Sequence, residues 1–193
     1  MIGPFITRIV GTKLINPDSQ KLKNSGPAIY VTNHTSALDI FISMAICPYG
    51  GCGVGKKEVV KIPFFGWAYW LSGHLVIDRG NRGKAVASMN QLSKFVNDKK
   101  LSIWIWPEGT RSMDGKLIPF KKGFVHLALA TGLPIVPVVL HGAHKRWPAK
   151  TMQFYPGEVK VEVLDPIDTK DWNKDGIEEH VNQVKSVMSE ALG

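Results

Sequence analysis

The sequence has only two cysteines, no long apolar run and fewer acidic than basic residues. Cys47 and Cys52 lack the spacing of a zinc knuckle, and there is no second pair to complete a zinc site or a disulfide framework. We therefore expect two reduced thiols in a cytoplasmic protein. No stretch has the roughly 18–20 apolar residues that cross a bilayer, and residues 1–16 lack the pattern of a signal peptide. If the protein acts on lipid, it is expected to lie on the membrane.

The charge of the chain favours anionic partners. Basic residues outnumber acidic ones by 24 to 16, which gives a formal net charge of +8. Nucleic acid, anionic lipid surfaces and phosphorylated substrates all suit such a balance. Ordinary solvated lysines explain it equally well, so composition alone does not choose a partner.

Short apolar runs alternate with segments of helical periodicity along the chain. The runs at 28–33, 75–78, 101–106, 135–140 and 159–164 predict strands that are covered on both faces. Helices are predicted at 84–97, 122–131 and 177–192, where apolar residues recur every three or four positions. This alternation predicts an α/β fold, in which a single domain over 1–193 packs helices on both faces of a mostly buried mixed sheet.

An amphipathic helix is predicted within residues 1–15. Its apolar stripe consists of Ile2, Phe5, Ile6, Ile9, Val10 and Leu14. Arg8 and Lys13 lie off that stripe. The stripe either packs on the core or lies at a membrane interface.

The stretch Asn-His-Thr-Ser-Ala-Leu-Asp at 33–39 lies where a predicted strand becomes a helix. We expect Thr35 or Ser36 to cap that helix. Asp39, one turn into the helix, could then hold one ring nitrogen of His34 and leave the other free to take a proton. On these residues alone, a structural histidine remains the commoner explanation.

Cationic side chains lie at three other places where a strand ends or a helix begins. Arg79 follows the strand at 75–78, Arg111 lies in Pro-Glu-Gly-Thr-Arg-Ser at 107–112, and Lys121 precedes the helix at 122–131. Ligands of α/β sheets bind at the carboxyl ends of strands, and helix N-termini favour anions. The arrangement predicts a pocket for a dianionic group next to a general base.

Lysines precede a group of aromatic residues in the segment 55–73. Lys57 and Lys61 precede or flank the aromatic residues Phe64, Phe65, Trp67 and Trp70. Such a segment could contact a bilayer interface, stack on single-stranded nucleic acid, line an apolar tunnel or form a core helix.

The blocks together resemble the glycerolipid acyltransferases. Residues 33–39 match the family's His-x4-Asp signature, and Gly-His-Leu-Val-Ile-Asp-Arg at 73–79, Pro-Glu-Gly-Thr-Arg-Ser at 107–112 and Leu-Pro-Ile-Val-Pro-Val-Val-Leu at 133–140 resemble its next three blocks, in order. Lys-Lys-Glu-Val-Val-Lys-Ile-Pro-Phe-Phe-Gly-Trp at 56–67 and Phe-Lys-Lys-Gly at 120–123 also look like that family. The nearest subgroup is the 1-acyl-glycerol-3-phosphate acyltransferases, which implies their fold and the synthesis of phosphatidic acid.

The resemblance implies a role for each matching residue. His34 would be the general base for the acceptor's sn-2 hydroxyl, Asp39 would orient it, and an acyl thioester would be attacked without an acyl-enzyme. Arg79, Arg111 and Lys121 would hold the acceptor phosphate. Glu108 would contact the acceptor near its hydroxyls, Gly109 and its neighbour Thr110 would form the oxyanion region, and Val136 and Pro137 would shape the acyl-donor side. No bound cofactor or metal is implied.

The implied partners are lysophosphatidic acid, an acyl thioester of coenzyme A or of acyl carrier protein, and an anionic membrane surface, with no nucleic acid. The protein would be peripheral on the inner face of the cell membrane. Relatives often carry a membrane helix ahead of the histidine, whereas 33 residues precede His34 in this sequence. Residues 1–15 and 55–73 would then share the membrane contact, with Phe64, Phe65, Trp67, Trp70, Lys57 and Lys61 as contact residues.

Three other functions remain open from the sequence. The same chemistry could act on glycerol-3-phosphate, another lysophospholipid or an amino-acid lipid. A non-catalytic protein that binds anionic lipid or nucleic acid would need no fixed relation between His34 and Asp39. A serine hydrolase using Ser36 or Ser112 ranks last, because the sequence has no nucleophile elbow.

Overall fold

A computed structural model describes residues 2–15, 18–48, 50–56, 60–61, 66–67, 75–77 and 92–193. Within these ranges the strands are β1 (Thr12–Ile15), β2 (Ile29–Thr32), β3 (Gly51–Lys56), β4 (Leu75–Ile77), β5 (Ser102–Ile105), β6 (Ile135–His141) and β7 (Gly157–Val163). The helices are α1 (Ile2–Ile9), α2 (Ser19–Asn24), α3 (Leu38–Ile46), α4 (described over 92–99), α5 (Gly123–Thr131), α6 (Ala143–Arg146) and α7 (Ile177–Leu192).

The strands form one mixed sheet in the order β1-β7-β6-β2-β5-β3-β4. Every neighbouring pair is parallel except β6 and β7, which are antiparallel. The carboxyl ends of β2, β5 and β6 therefore meet at one edge near the centre of the sheet. The loops that follow β2 and β5 carry the His34 and Glu108 blocks, so the topology brings these blocks together.

Two apolar clusters cover the two faces of the sheet. Alternate residues of β2 divide between them, because successive side chains of a strand point to opposite faces. Ile29 and Val31 join α4, α5 and α7 in one cluster, whereas Tyr30 joins α2 and α3 in the other. Helices thus pack on both faces, and the predicted α/β class is confirmed.

The predicted strands and helices are present wherever the structure describes their residues. The predicted strands correspond to β2, β4, β5, β6 and β7, and the helices at 122–131 and 177–192 correspond to α5 and α7. Of the helix predicted at 84–97, residues 92–97 are helical and residues 84–91 lie outside the described part of the chain. The strands β1 and β3 had not been predicted.

The N-terminal helix is shorter than its apolar stripe. Gly11 adopts a φ of 70°, which stops α1, and the chain then enters β1 beside β7. Leu14 of the stripe is therefore a strand residue. No helix among the described residues is long and apolar enough to cross a membrane.

Both cysteines are free thiols, as predicted. Burial raises the pKa of Cys47 to about 12 and that of Cys52 to about 11. Both thiols are therefore protonated near neutral pH, which suits structural rather than reactive cysteines.

Candidate active site

His34 and Asp39 form a hydrogen-bonded pair at the carboxyl end of β2. The His34 Nδ1 atom lies 3.0 Å from Asp39 Oδ2. The aspartate side chain is fully buried, whereas that of the histidine is 15% exposed. The other ring nitrogen, Nε2, has no hydrogen-bond partner within the described residues, so a proton donor could approach it.

Asp39 also shapes the loop that carries the histidine. The backbone N–H groups of Thr35 and Ser36 donate to the same Oδ2 atom, at 2.6 and 2.8 Å. A carboxylate in the first turn of α3 thus accepts hydrogen bonds from the residues that precede the helix, and it complements the positive end of the helix dipole. The turn fixes the position of the His34 ring relative to Asp39, five residues later in the sequence.

The sequence predicted a side-chain cap from Thr35 or Ser36, but the N-cap of α3 is Ala37 and no side chain caps the helix there. Ser36 instead contacts the first residue of the helix. The helix begins at Leu38 after Ala37, and the Leu38 N–H donates to Ser36 Oγ over 3.0 Å. The Ser36 hydroxyl also donates to the carbonyl oxygen of Trp147 over 2.6 Å. Both hydrogen bonds hold the Ser36 hydroxyl in place, so they do not support a nucleophilic role for this serine.

Asn33 fastens the other side of the same loop, which sequence reasoning had missed. Its Nδ2 donates to the Leu140 carbonyl at 3.0 Å, and its Oδ1 accepts from the Leu140 N–H at 2.8 Å. The side chain therefore mimics a strand partner for β6. A buried-strand asparagine directly before a histidine was the signal available in the sequence.

Glu108 connects the His34 loop to the segment 107–118. Its Oε1 accepts from the His34 N–H at 2.7 Å, and its Oε2 accepts from the Ile118 N–H at 3.2 Å. The side chain is only 1% exposed. Burial raises the pKa of the Glu108 carboxyl to about 7, against the opposing effect of the two amide hydrogen bonds.

The 107–112 loop forms a turn against the histidine loop. The Ser112 N–H donates to the His34 carbonyl over 2.8 Å. Gly109 adopts a φ of 69°, and its N–H closes the turn on the Trp106 carbonyl. Thr110 and Arg111 are exposed at this turn. Within the part of the chain that the structure describes, their backbone N–H groups have no hydrogen-bond partner.

Lys121 lies across the same turn. Its N–H donates to the Pro107 carbonyl, and a Cβ placed on Gly109 would be 3.1–3.3 Å from the end of the lysine side chain. Arg111 and Lys121 are therefore two cations at one loop, beside the histidine loop. Lys122, the next residue, pairs instead with Glu178 of α7.

The other predicted site residues fall into three groups. Val136 and Pro137 are buried in β6, with Val136 in the cluster that contains α3. Lys61 and Trp67 are exposed, Trp67 by 66%. The remaining ones lie outside the described residues: Arg79, Lys57, Phe64, Phe65 and Trp70. Over the described ranges, no three His, Cys, Asp or Glu side chains are placed to hold a metal ion.

Trp106 borders the histidine, and His144 packs on the segment that follows the 107–112 loop. The Trp106 ring centroid lies 5.3 Å from that of His34. His144 of α6 lies against Gly115, where an added Cβ would meet its ring. Burial lowers the pKa of His144, and Lys145 lowers it further, so this ring is neutral at neutral pH. Trp106 begins the stretch Trp-Pro-Glu-Gly-Thr-Arg-Ser at 106–112 but had no predicted role, and His144 lies in no predicted motif.

Known proteins with similar sequences and structures agree on one family. The sequence model described as Acyltransferase matches residues 15–141, which include all four blocks. The 1-acyl-sn-glycerol-3-phosphate acyltransferase of Limnanthes douglasii is 43% identical over 187 residues, covering 97% of this chain and 66% of that protein. The Haemophilus influenzae protein of the same name is 39% identical over 185 residues, covering 95% of this chain and 76% of that protein.

A solved structure gives the same result. The 1-acyl-sn-glycerophosphate (LPA) acyltransferase PlsC from Thermotoga maritima matches with a TM-score of 0.82 and 26% sequence identity, covering 98% of this chain and 75% of that one. The chain thus spans about two thirds of the Limnanthes protein and about three quarters of the two bacterial ones. The family match over 127 of 193 residues and the coverage of the Haemophilus protein decide the assignment. The chain belongs to the acyltransferase family.

Proposed function

We propose that this chain transfers a fatty acyl group from a thioester to the free sn-2 hydroxyl of 1-acyl-glycerol-3-phosphate, giving phosphatidic acid. The observation that carries the proposal is the 3.0 Å pair of His34 and Asp39 beside a turn that presents Arg111 and Lys121. A base and a phosphate site side by side fit an acceptor that has a hydroxyl near a phosphomonoester. The names of the relatives support the same acceptor.

The proposed step needs no covalent enzyme intermediate. His34 Nε2 takes the proton of the acceptor hydroxyl while the hydroxyl oxygen attacks the thioester carbonyl carbon. A C–O bond forms, the C–S bond then breaks, and the leaving thiolate takes the proton from the His34 imidazolium, which restores the neutral base. Asp39 accepts the Nδ1–H of the ring, which fixes the tautomer and stabilises the imidazolium that forms.

The charge that develops on the carbonyl oxygen needs hydrogen-bond donors. The exposed turn at Thr110 and Arg111 offers backbone N–H groups without partners in the described structure. The Arg111 guanidinium and the Lys121 ammonium would hold the acceptor phosphate, together with Arg79 from outside the described residues. The acceptor would then be fixed with its hydroxyl toward the histidine.

For Glu108 we infer a positioning role in place of direct acceptor contact. Both of its oxygens accept backbone hydrogen bonds, and the side chain is almost fully buried. An acceptor would have to displace one of these amides to reach the carboxylate. Glu108 would act by holding the His34 loop against the 107–118 segment.

Coenzyme A and acyl carrier protein both remain candidate thioester donors, and an anionic membrane surface is the proposed location. Both donors are anionic, as the net charge of +8 favours. We propose no bound cofactor. The buried Val136 and Pro137 could affect a donor channel only through the packing of β6.

The test is acyl transfer to 1-acyl-glycerol-3-phosphate from palmitoyl-coenzyme A and, separately, from palmitoyl acyl carrier protein. Wild type should form phosphatidic acid with at least one donor. Loss of the base in His34→Ala should reduce kcat by about 100-fold or more. Asp39→Asn should also reduce kcat, because the amide group can donate to the ring and favour the wrong tautomer.

His141→Ala is the matched control. The Nε2 atom of His141 lies 2.9 Å from Glu162 Oε2. This pair is also a histidine hydrogen-bonded to a carboxylate, but it lies outside the His34 loop. Its loss should leave the rate close to that of wild type. Equal rates from wild type and His34→Ala would refute the mechanism. No product with either donor, from folded protein, would refute the proposed acceptor.

A further inference from the structure

Exposed apolar side chains are concentrated on α1 and on the loop that leads into β7. Among the described residues, eight large apolar side chains are strongly exposed, and five of them lie on these two elements. The five are Phe5 (64%), Ile9 (64%), Met152 (77%), Phe154 (40%) and Tyr155 (48%). We call these five side chains the apolar face.

The two elements are neighbours in space. Gly11, just after α1, lies against Pro156: a Cβ on the glycine would be 2.9 Å from the proline Cβ. The Gly157 N–H donates to the Gly11 carbonyl, where β7 begins beside β1. The other end of α1 packs on α3, whose Phe41 ring stacks on Trp147 at 6.2 Å. The apolar face is thus carried by one continuous group of elements.

The loop at 147–156 is closed by its own hydrogen bonds. At its base, the Tyr155 N–H donates to the Arg146 carbonyl, and the Arg146 Nη1 donates to the Pro156 carbonyl. Inside it, the Trp147 indole N–H donates to the Thr151 carbonyl at 2.9 Å. The Trp147 ring also meets Phe154 edge-on at 4.6 Å. These internal hydrogen bonds give the loop a defined conformation, in which Met152, Phe154 and Tyr155 are exposed.

The surroundings of the apolar face are basic. No acidic residue precedes Asp18, and none lies between Asp114 and Glu158. Basic residues lie within these two elements or next to them in the sequence: Arg8, Lys13, Lys145, Arg146 and Lys150. A cavity of about 570 Å³ beside α1 is lined by Arg8 and Lys13. Glu158, which follows the loop in the sequence, pairs with Lys13 at 3.1 Å.

The same loop is attached to the catalytic loop. The Ser36 hydroxyl, between His34 and Asp39 in sequence, donates to the Trp147 carbonyl over 2.6 Å. Whatever docks on the apolar face therefore lies next to the loop that carries the base.

We propose that the apolar face docks on an anionic lipid bilayer, with Met152, Phe154 and Tyr155 inserted at the interface and the flanking cations on the headgroups. Aromatic and apolar side chains with lysine and arginine around them match the headgroup and acyl boundary of such a bilayer. An acidic protein would match the cations but would leave the exposed Phe5, Ile9 and Met152 unexplained. The choice of a membrane rests on the proposed function, since its acceptor is a lipid.

The test is binding to large vesicles of phosphatidylcholine with and without phosphatidylglycerol, measured by sedimentation with no substrate present. Wild type should bind the anionic vesicles, and added salt should weaken the binding. Met152→Ser, Phe154→Ser and Tyr155→Ser combined should lower the partition coefficient by about 100-fold. Met152→Asp alone should lower it by about tenfold or more, and its position is so exposed that folding is unaffected.

Phe95→Ser is the matched control. Phe95 is 44% exposed on α4, which packs on the opposite face of the sheet, so this variant should bind like wild type. Wild-type binding by both loop variants would overturn the proposal, as would an equal loss in Phe95→Ser. It would also be overturned if the loop variants lost affinity for acyl carrier protein while retaining vesicle binding. Because no turnover is measured, a chain that docks but makes no phosphatidic acid would refute only the proposed function.

Discussion

Glu108 links two loops of the site through a carboxyl group whose ionisation is disfavoured by burial. Its two oxygens accept amide hydrogen bonds from His34 and Ile118, which favour the charged form. Burial outweighs them and raises the pKa to about 7, above the ordinary value of 4.5. The folded protein therefore binds a proton more tightly at this position than the unfolded chain does.

The stability of the protein should consequently depend on pH through Glu108. Between pH 4.5 and about 7, the folded state retains the proton that the unfolded state has lost, so the contribution of Glu108 falls as pH rises. The full effect corresponds to roughly 3 kcal/mol. Glu108→Gln does not titrate and should lack this fall. The measurement is the free energy of urea unfolding of wild type and variant on both sides of this interval.

Glu162→Gln provides a control of opposite sign. The hydrogen bond from Lys160 holds the pKa of Glu162 below its usual value, so its contribution is lost as pH falls. The difference between wild type and this variant should therefore shrink in acid. If wild type and Glu108→Gln show the same pH dependence, the carboxyl of Glu108 is not held protonated by burial.

Secondary-structure elements position the site through turns that only glycine adopts easily. Gly109 has a φ of 69° and lies against the end of the Lys121 side chain. Gly132, at the end of α5, has a φ of 70°, and a Cβ there would meet nothing within 4 Å. The two glycines have almost the same φ, and an added Cβ would meet the lysine only at Gly109.

This pair separates backbone strain from an effect on the site. Alanine at either position should lower the free energy of unfolding by about 1–2 kcal/mol, because a side chain disfavours the left-handed conformation. Only Gly109→Ala should also raise the KM for the acceptor, since the new methyl group displaces Lys121 from the proposed phosphate site. Urea unfolding and acyl-transfer kinetics of both variants test this. An equal KM for the acceptor in the two variants would mean that Lys121 does not bind the acceptor phosphate.

Most elements could be predicted from the sequence, and the exceptions have physical causes. Buried strands such as β2 and β6 are rich in β-branched residues, and α7 keeps its apolar stripe over 16 residues. In contrast, β1 has only four residues, of which Leu14 continues the helical stripe of α1, and β3 contains three glycines within Gly-Cys-Gly-Val-Gly-Lys. Both are strands because neighbouring strands pair with them, and local sequence does not encode that pairing.

Site residues could be predicted from the sequence where the proposed chemistry requires a particular residue type. The residues that hold them in place could not, because their contacts depend on the fold. Spacing and helix geometry allowed the His34–Asp39 contact, and the resemblance to the glycerolipid acyltransferases implied it. The contacts of Asn33 with Leu140 and of Ser36 with Trp147 join residues more than 100 positions apart, so no local pattern could indicate them. The burial of Glu108 likewise depends on the packing of two distant loops.

Across the entire chain, one sheet joins the two apolar clusters. Strand residues alternate between the clusters, as Ile29 and Tyr30 do in β2. Loss of either cluster would uncover one face of every central strand and weaken the packing of the other. The clusters should therefore unfold together, as expected of the single domain predicted over residues 1–193.

Core substitutions on opposite faces test this cooperativity. Ile42 of α3 and Met188 of α7 are fully buried in different clusters, and alanine at either should cost about 2–5 kcal/mol. Each variant should shift one urea transition, with tryptophan fluorescence and far-ultraviolet circular dichroism remaining coincident. Met152→Ala, at a 77% exposed position, should leave the midpoint unchanged. Two separated transitions in either core variant would mean that the faces of the sheet fold as independent units. The positions of the loops that carry His34 and Glu108 would then depend on only one of these units.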